Sequence, residues 1–293
     1  MFDLPFPEMA VFILVVIICL VATVVGVLQL FSRGEKLRRS LLALVALAIT
    51  LEAVILIFRA IAIKAVPLTG LFESMIVLTI VFGLIYLFLS IAIHRVWFAS
   101  VMVWVILLLV LMSGIVAEPA SQAHEAASTP WAIAHAIAMI LSGASAMLAT
   151  ASAVLYLFAQ RKLKQKKLLP VLGKVPNIEK LERMNLLGLK SCFVLMTFGL
   201  ASGIGLAATT TSLNMTTMDW LTDAKIVLII IVWLLLGTIM VLLKTVKLKK
   251  KTIAYVTLVA FALILFAVVG TSVFCGTGHN FASSDIEASE QVK

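Results

Sequence analysis

Four histidines are spread along a chain of 293 residues, and two of them stand where an imidazole can do chemistry. His135 lies one turn inside an apolar stretch that opens Pro130-Trp131, and Trp131, four residues earlier, shares its helical face. His279 lies in Gly276-Thr277-Gly278-His279-Asn280-Phe281, just beyond the last apolar stretch. Two neutral imidazoles brought by separate helix ends to one membrane depth form the arrangement that axial ligation of a haem iron requires. The same positions also suit two interfacial histidines satisfied by ordinary hydrogen bonds, because an imidazole just below the membrane surface needs a partner in either case. His94, beside Arg95, reads as an interfacial residue, and His124, among Ala, Ser and Glu, as a solvated one.

Other polar residues gather at the same level. The segment Trp220-Leu-Thr-Asp223-Ala-Lys225 opens into an apolar run, and Asp223 is placed to cap that helix. Trp220 is an interface anchor or part of a binding surface. Glu52 and Arg59 are seven residues apart, so they share one helical face about 10 Å apart, and both should point to the interior of a bundle. Arg59 and Lys64 can pair with anionic propionates; Arg59 can equally neutralise Glu52 or Glu73, or reach toward the interface. Lys225 can serve Asp223 or a propionate.

The elements that must position these residues follow from composition. Hydrophobic residues make up 63% of the chain and charged ones 13%, against about 45–50% and about 25% in soluble domains, which excludes an ordinary globular enzyme and a disordered protein. Crossing the hydrocarbon core takes roughly 20 apolar residues as a helix. Eight stretches qualify, at about 9–31, 40–63, 70–93, 97–117, 131–159, 186–210, 224–243 and 252–274. The fold class is therefore all-α and polytopic, with eight transmembrane helices in a single domain over 1–293, a basic cytoplasmic loop at 160–185 and an external tail at 275–293. None of the seven prolines falls in a span proper.

Lys and Arg concentrate in alternate loops: 33–39, Arg95, 161–183 and 244–251, while the opposite side carries Lys64 and Lys293. Basic loops stay on the cytoplasmic side, so both termini are external, N-out and C-out. The net charge of +9 is thus a record of topology and of contact with anionic lipid, and nucleic acid is excluded as a partner. The start, Met1-Phe2-Asp3 with Glu8, lacks the basic residues of a cleaved signal, so the first span is expected to stay. Three cysteines build no disulfide framework, and Cys19 and Cys192 fall inside spans as small packing residues. Gly199 and Gly203 form a G-x-x-x-G in the sixth span, a device for close helix approach, and Met139, Met147 and Met196 read as gap fillers.

These residues, in this order, resemble the CcsA/HemX-like cytochrome c assembly proteins, haem-handling integral membrane proteins. Trp220-Leu-Thr-Asp223-Ala-Lys225 is similar to the family's W-x-W-D-P-K string, keeping the first Trp, the Asp and the Lys, with Thr222 and Ala224 replacing the second Trp and the Pro. Pro67-Leu-Thr-Gly-Leu-Phe-Glu73-Ser resembles the P-L-x-N-L-Y-E-S string. Trp131 to His135 resembles the segment with the first external haem-ligating His, and Gly278-His279-Asn280-Phe281 the one with the second. The loop at 209–218 has no tryptophan, and no histidine lies deep in a span. The resemblance implies non-covalent haem b held at the external face, with His135 and His279 as iron ligands and Trp131, Trp220, Asp223, Lys225 and Arg59 around it. It also implies delivery to apocytochrome c with another membrane assembly subunit, in a bacterial inner membrane, by an assembly factor more than a stand-alone catalyst. The degenerate tryptophan loop leaves a HemX-like accessory role in tetrapyrrole metabolism or complex assembly as the alternative. A secondary transporter of another solute is the third reading, with Glu52 the acid well inside a span.

Overall fold

In the computed structural model, the described residues are 4–31, 35–63, 66–68, 70–92, 96–118, 129–164, 177–209, 223–246 and 248–271. They form helices and short connections only: α1 (Phe6–Phe31), α2 (Glu35–Ile63), α3 (Leu71–Ala92), α4 (Val96–Ile115), α5 (Pro130–Lys164), α6 (Ile178–Thr209), α7 (Ala224–Thr245) and α8 (Lys250–Leu265). A π-helical turn, Phe266–Gly270, continues α8. Among the described residues, seven helices are long and apolar enough to cross a membrane; α4 contributes a shorter apolar run, Ala99–Ile115. The chain is an integral membrane protein. Its outer faces are what lipid requires: on α1, Ile13, Leu14, Ile17, Leu20, Val21 and Val24 point away from the protein.

Three helices outrun their apolar stretches. The sequence predicts α2 from residue 40, yet it begins at Glu35, because Glu, Lys, Leu and Arg are good helix formers. Arg38 Nη2 also donates to the Ser90 carbonyl of α3 at 2.9 Å, which ties down that extension. The sixth helix, predicted from 186, begins at Ile178, where Asn177 Oδ1 accepts from Glu179 N at 3.3 Å and Glu182 pairs with Lys250 of α8 at 2.7 Å. At 35 residues, α5 is about 52 Å long and must project beyond a hydrocarbon core of about 30 Å.

Helix α5 is the spine of the molecule. One apolar cluster joins α1 to α4 with α5, the start of α6 and Ala254 of α8; a second joins α5, α6, α7 and α8. The middle of α5 serves both because its buried residues are small: Ala144, Ala146, Ala149, Ala151, Ser152 and Ala153. Small residues allow backbones to come together, and dispersion contacts then accumulate along the whole crossing. At Gly188 of α6, an added Cβ would lie 2.9 Å from the Ser145 carbonyl and from the Ala149 backbone nitrogen. Polar links cross at several depths, with Ser142 Oγ donating to the Cys192 carbonyl at 3.1 Å and Thr257 Oγ1 to Asn185 Oδ1 at 2.9 Å.

The contacts also fix which helix ends lie together. Arg59 near the end of α2 meets Glu8 at the start of α1, Glu73 at the start of α3 and Glu118 beyond α4. His135 near the start of α5 meets Gly199 and Gly203 toward the end of α6. Helix α3 packs beside α5, Leu78 facing Gly143.

Candidate functional site

The start of α5 lays Trp131, His135 and Met139 on one face at i, i+4 spacing, and that face meets the glycines of α6. A Cβ on Gly199 would be 2.6 Å from Met139 Sδ, one on Gly203 3.1 Å from His135 Nδ1, and one on Gly205 2.8 Å from Trp131 Cε3. The two helices run in opposite directions, so the three side chains seat in order along a groove that has no side chains of its own. The G-x-x-x-G of the sixth span is thus the seat of the histidine face.

Nδ1 of His135 lies 2.7 Å from the Gly199 carbonyl oxygen. A carbonyl only accepts, so Nδ1 carries the hydrogen; in the neutral form of the ring the lone pair is then on Nε2. Hydrogen bonding of one ring nitrogen to a backbone carbonyl is how metal-ligating histidines are oriented. Ser202 Oγ directs its one hydrogen between the Phe198 carbonyl at 2.8 Å and the Gly199 carbonyl at 3.0 Å. His135 is partly buried, while Trp131 is 48% exposed, so the indole extends the apolar face outward.

Asp223 caps α7, its Oδ1 accepting from Lys225 N at 2.9 Å. This satisfies one of the orphan amides at the helix start. The Lys225 side chain, in that first turn, lies close enough to both Asp223 and His135 for its charge to act on each. The structure therefore brings His135, Trp131, Asp223 and Lys225 to one end of the α5–α7 group. Trp220 and His279 lie outside the described residues, as do His94 and His124.

Arg59 is 1% exposed and makes a separate cluster. Its Nε donates to Glu8 Oε2 at 3.0 Å, Nη1 to Glu73 Oε1 and Nη2 to the Glu118 carbonyl. The guanidinium carbon lies 4.4 Å from the centroid of Phe72, which meets Phe12 edge-on with centroids 5.7 Å apart. Of the partners the sequence suggests for Arg59, Glu73 is the one it takes; Glu52, two turns away, is not engaged. Glu8 escaped sequence reasoning, because 51 residues separate it from Arg59. Its position in the first turn of an apolar helix was the available signal, since a carboxylate there needs a cation once the helix packs. Among the described residues, no group of three or more His, Cys, Asp or Glu gathers as a metal site.

No curated protein and no solved structure matches the chain. The family model of the cytochrome c assembly protein matches residues 68–277, well over half of the chain and all of the helices from α3 to α8. That match, on a helical membrane bundle, identifies the protein's role as one in cytochrome c biogenesis: the chain belongs to the cytochrome c assembly protein family.

Proposed function

We propose that the protein holds haem at the external end of its bundle, with His135 as one iron ligand and His279 as the other, for delivery to an apocytochrome c. The observation that carries this reading is the His135 hydrogen bond to Gly199, which puts the hydrogen on Nδ1 and sets the ring against a glycine groove. The residues present suit the group: a neutral imidazole of defined tautomer, an exposed indole beside it for an apolar macrocycle, and a Lys225 ammonium nearby for a propionate. Haem, when bound, supplies the vinyl groups to which cysteine thiols of an apocytochrome add. The chain's own share is orientation: the Gly199 carbonyl holds the imidazole, Asp223 fixes the start of α7, and Lys225 recognises negative charge.

In the same reading α4 completes eight spans, both termini are external, and the membrane is a bacterial inner membrane with a partner subunit beside the apocytochrome. Thr222 and Ala224, where the family's string has Trp and Pro, favour a second reading: an accessory protein that keeps the fold without stable haem. A reduced-minus-oxidised spectrum of protein purified gently from haem-replete cells separates the two. Haem delivery predicts low-spin bands that His135→Ala and His279→Ala each shift or abolish. A wild-type protein without haem, even after haemin is added to the reconstituted protein, contradicts it and leaves the accessory role.

A further inference from the structure

Helix α2 presents Leu41, Val45, Ala48, Glu52, Ile55 and Arg59 to the interior, and five of these six have an evident role in packing or pairing. Glu52 does not. It is 1% exposed, near the middle of a span, and neither carboxyl oxygen has a hydrogen-bond partner among the described residues. It lies ahead of the family-matched stretch, which begins at residue 68.

The groups able to compensate a charge at Glu52 can be enumerated. Helix α2 packs on α1 and α3. Among described side chains, α1 brings Glu8 and Cys19, α3 brings Glu73 and Tyr86, and α2 itself brings Arg38 and Arg39 at its far end and Arg59 two turns away. Arg59 is fully engaged by Glu8, Glu73 and the Glu118 carbonyl. Cys19 is near enough for a charge on Glu52 to act on its thiol, but a thiol offers no positive charge. A lone carboxylate surrounded by apolar side chains and lipid is far costlier than the neutral acid. The site must hold a proton or a metal cation, and among the described residues no neighbouring carboxylate supplies a second oxygen ligand, which favours the proton.

We propose that Glu52 is a membrane-embedded proton-binding site, a carboxylic acid carried neutral by the folded protein at neutral pH. Such an acid reacts with a hydrophobic carbodiimide: its oxygen adds to the central carbon, its proton passes to a carbodiimide nitrogen, and the adduct rearranges to a stable N-acylurea. No other co-reactant is needed and nothing is lost.

The test uses the full-length protein in its native membrane, treated with dicyclohexylcarbodiimide at neutral pH and mapped by mass spectrometry. The expected adduct is on Glu52, absent in E52Q, absent with a water-soluble carbodiimide, and unchanged when sodium chloride replaces choline chloride. Glu8 and Glu73, paired with Arg59, stay unlabelled. Absence of a Glu52 adduct on a peptide that is itself detected overturns the proposal. Suppression by sodium overturns it in favour of a cation site. E52Q, which matches the neutral acid in shape, should keep the wild-type melting temperature; a large loss would mean that the charged form is the native one, and would overturn the proposal independently of the labelling.

Discussion

The His135 imidazole occupies the space that a side chain on Gly203 would fill, with Nδ1 3.1 Å from where its Cβ would stand. The histidine of one helix is thus accommodated by the lack of a side chain on another. The neighbouring pairs, Met139 with Gly199 and Trp131 with Gly205, repeat the relation one turn to either side. A ring held this closely has one orientation, which is what a ligand to a planar cofactor requires.

The glycines of α6 should differ in what they tolerate. At Gly188 the atoms an added methyl would meet include backbone of α5 at 2.9 Å, which cannot move aside. At Gly199 it would meet the thioether of Met139, which can turn. Gly188→Ala is expected to destabilise by about 1–3 kcal/mol, as overpacking does, and Gly199→Ala by less. Thermal unfolding of the two variants in detergent checks the order.

Arg59 is a buried cation between two buried carboxylates. Removing it strands both acids, so Arg59→Met alone should cost about 3–5 kcal/mol, while the triple variant R59M/E8Q/E73Q should recover much of the loss. The melting temperatures of the single and triple variants, measured side by side, decide this. A triple variant no better than the single one would mean that the arginine contributes mainly through its packing on Phe72.

Loss of the α7 cap is a smaller effect. Asp223→Ala removes the bond to the Lys225 amide and should cost about 1 kcal/mol, whereas Asp223→Asn or Asp223→Ser should be nearly neutral. Because Lys225 is seated by that turn, the alanine variant should also weaken retention of added haemin, while the Asn and Ser variants keep it. Unfolding and haemin titration on the same three proteins compare the two effects.

The orientation has a test built into the native chain. Cys19 and Cys192 are buried, at 2% and 1% exposure, and should resist a membrane-impermeant maleimide. Cys275, in the external tail of the N-out, C-out reading, should react in intact cells, and Cys275→Ser should abolish the signal. Labelling that appears only after the membrane is opened would reverse the orientation.

The membrane class and the approximate place of each helix were legible in the sequence because a span is a local property, roughly 20 apolar residues in a row. The extensions of α2 and α6 were not, since Glu35–Arg39 and Ile178–Asn185 are amphipathic and are held by contacts such as Arg38 with Ser90 and Glu182 with Lys250. The site was legible in part for the same reason. Trp131 and His135 share a face by spacing alone, and Asp223 precedes an apolar run as a cap does. What spacing cannot carry is the partner: that Gly203 faces His135, or that Arg59 chooses Glu8, depends on which helices are neighbours. The alternative of Arg59 with Glu52 satisfied the spacing on α2 but lost to two carboxylates supplied by α1 and α3. His279 and Trp220, the remaining parts of the expected haem site, lie outside the described residues.

Ligation of haem iron by the His135 imidazole can be read by chemical rescue. His135→Gly removes the ring and leaves a space beside Gly203 that free imidazole can enter. With His135 as a ligand, the variant loses the low-spin spectrum of the wild type and added imidazole restores it, with no such response in the wild type. A His135→Gly protein that retains an unchanged low-spin spectrum without imidazole would contradict the assignment.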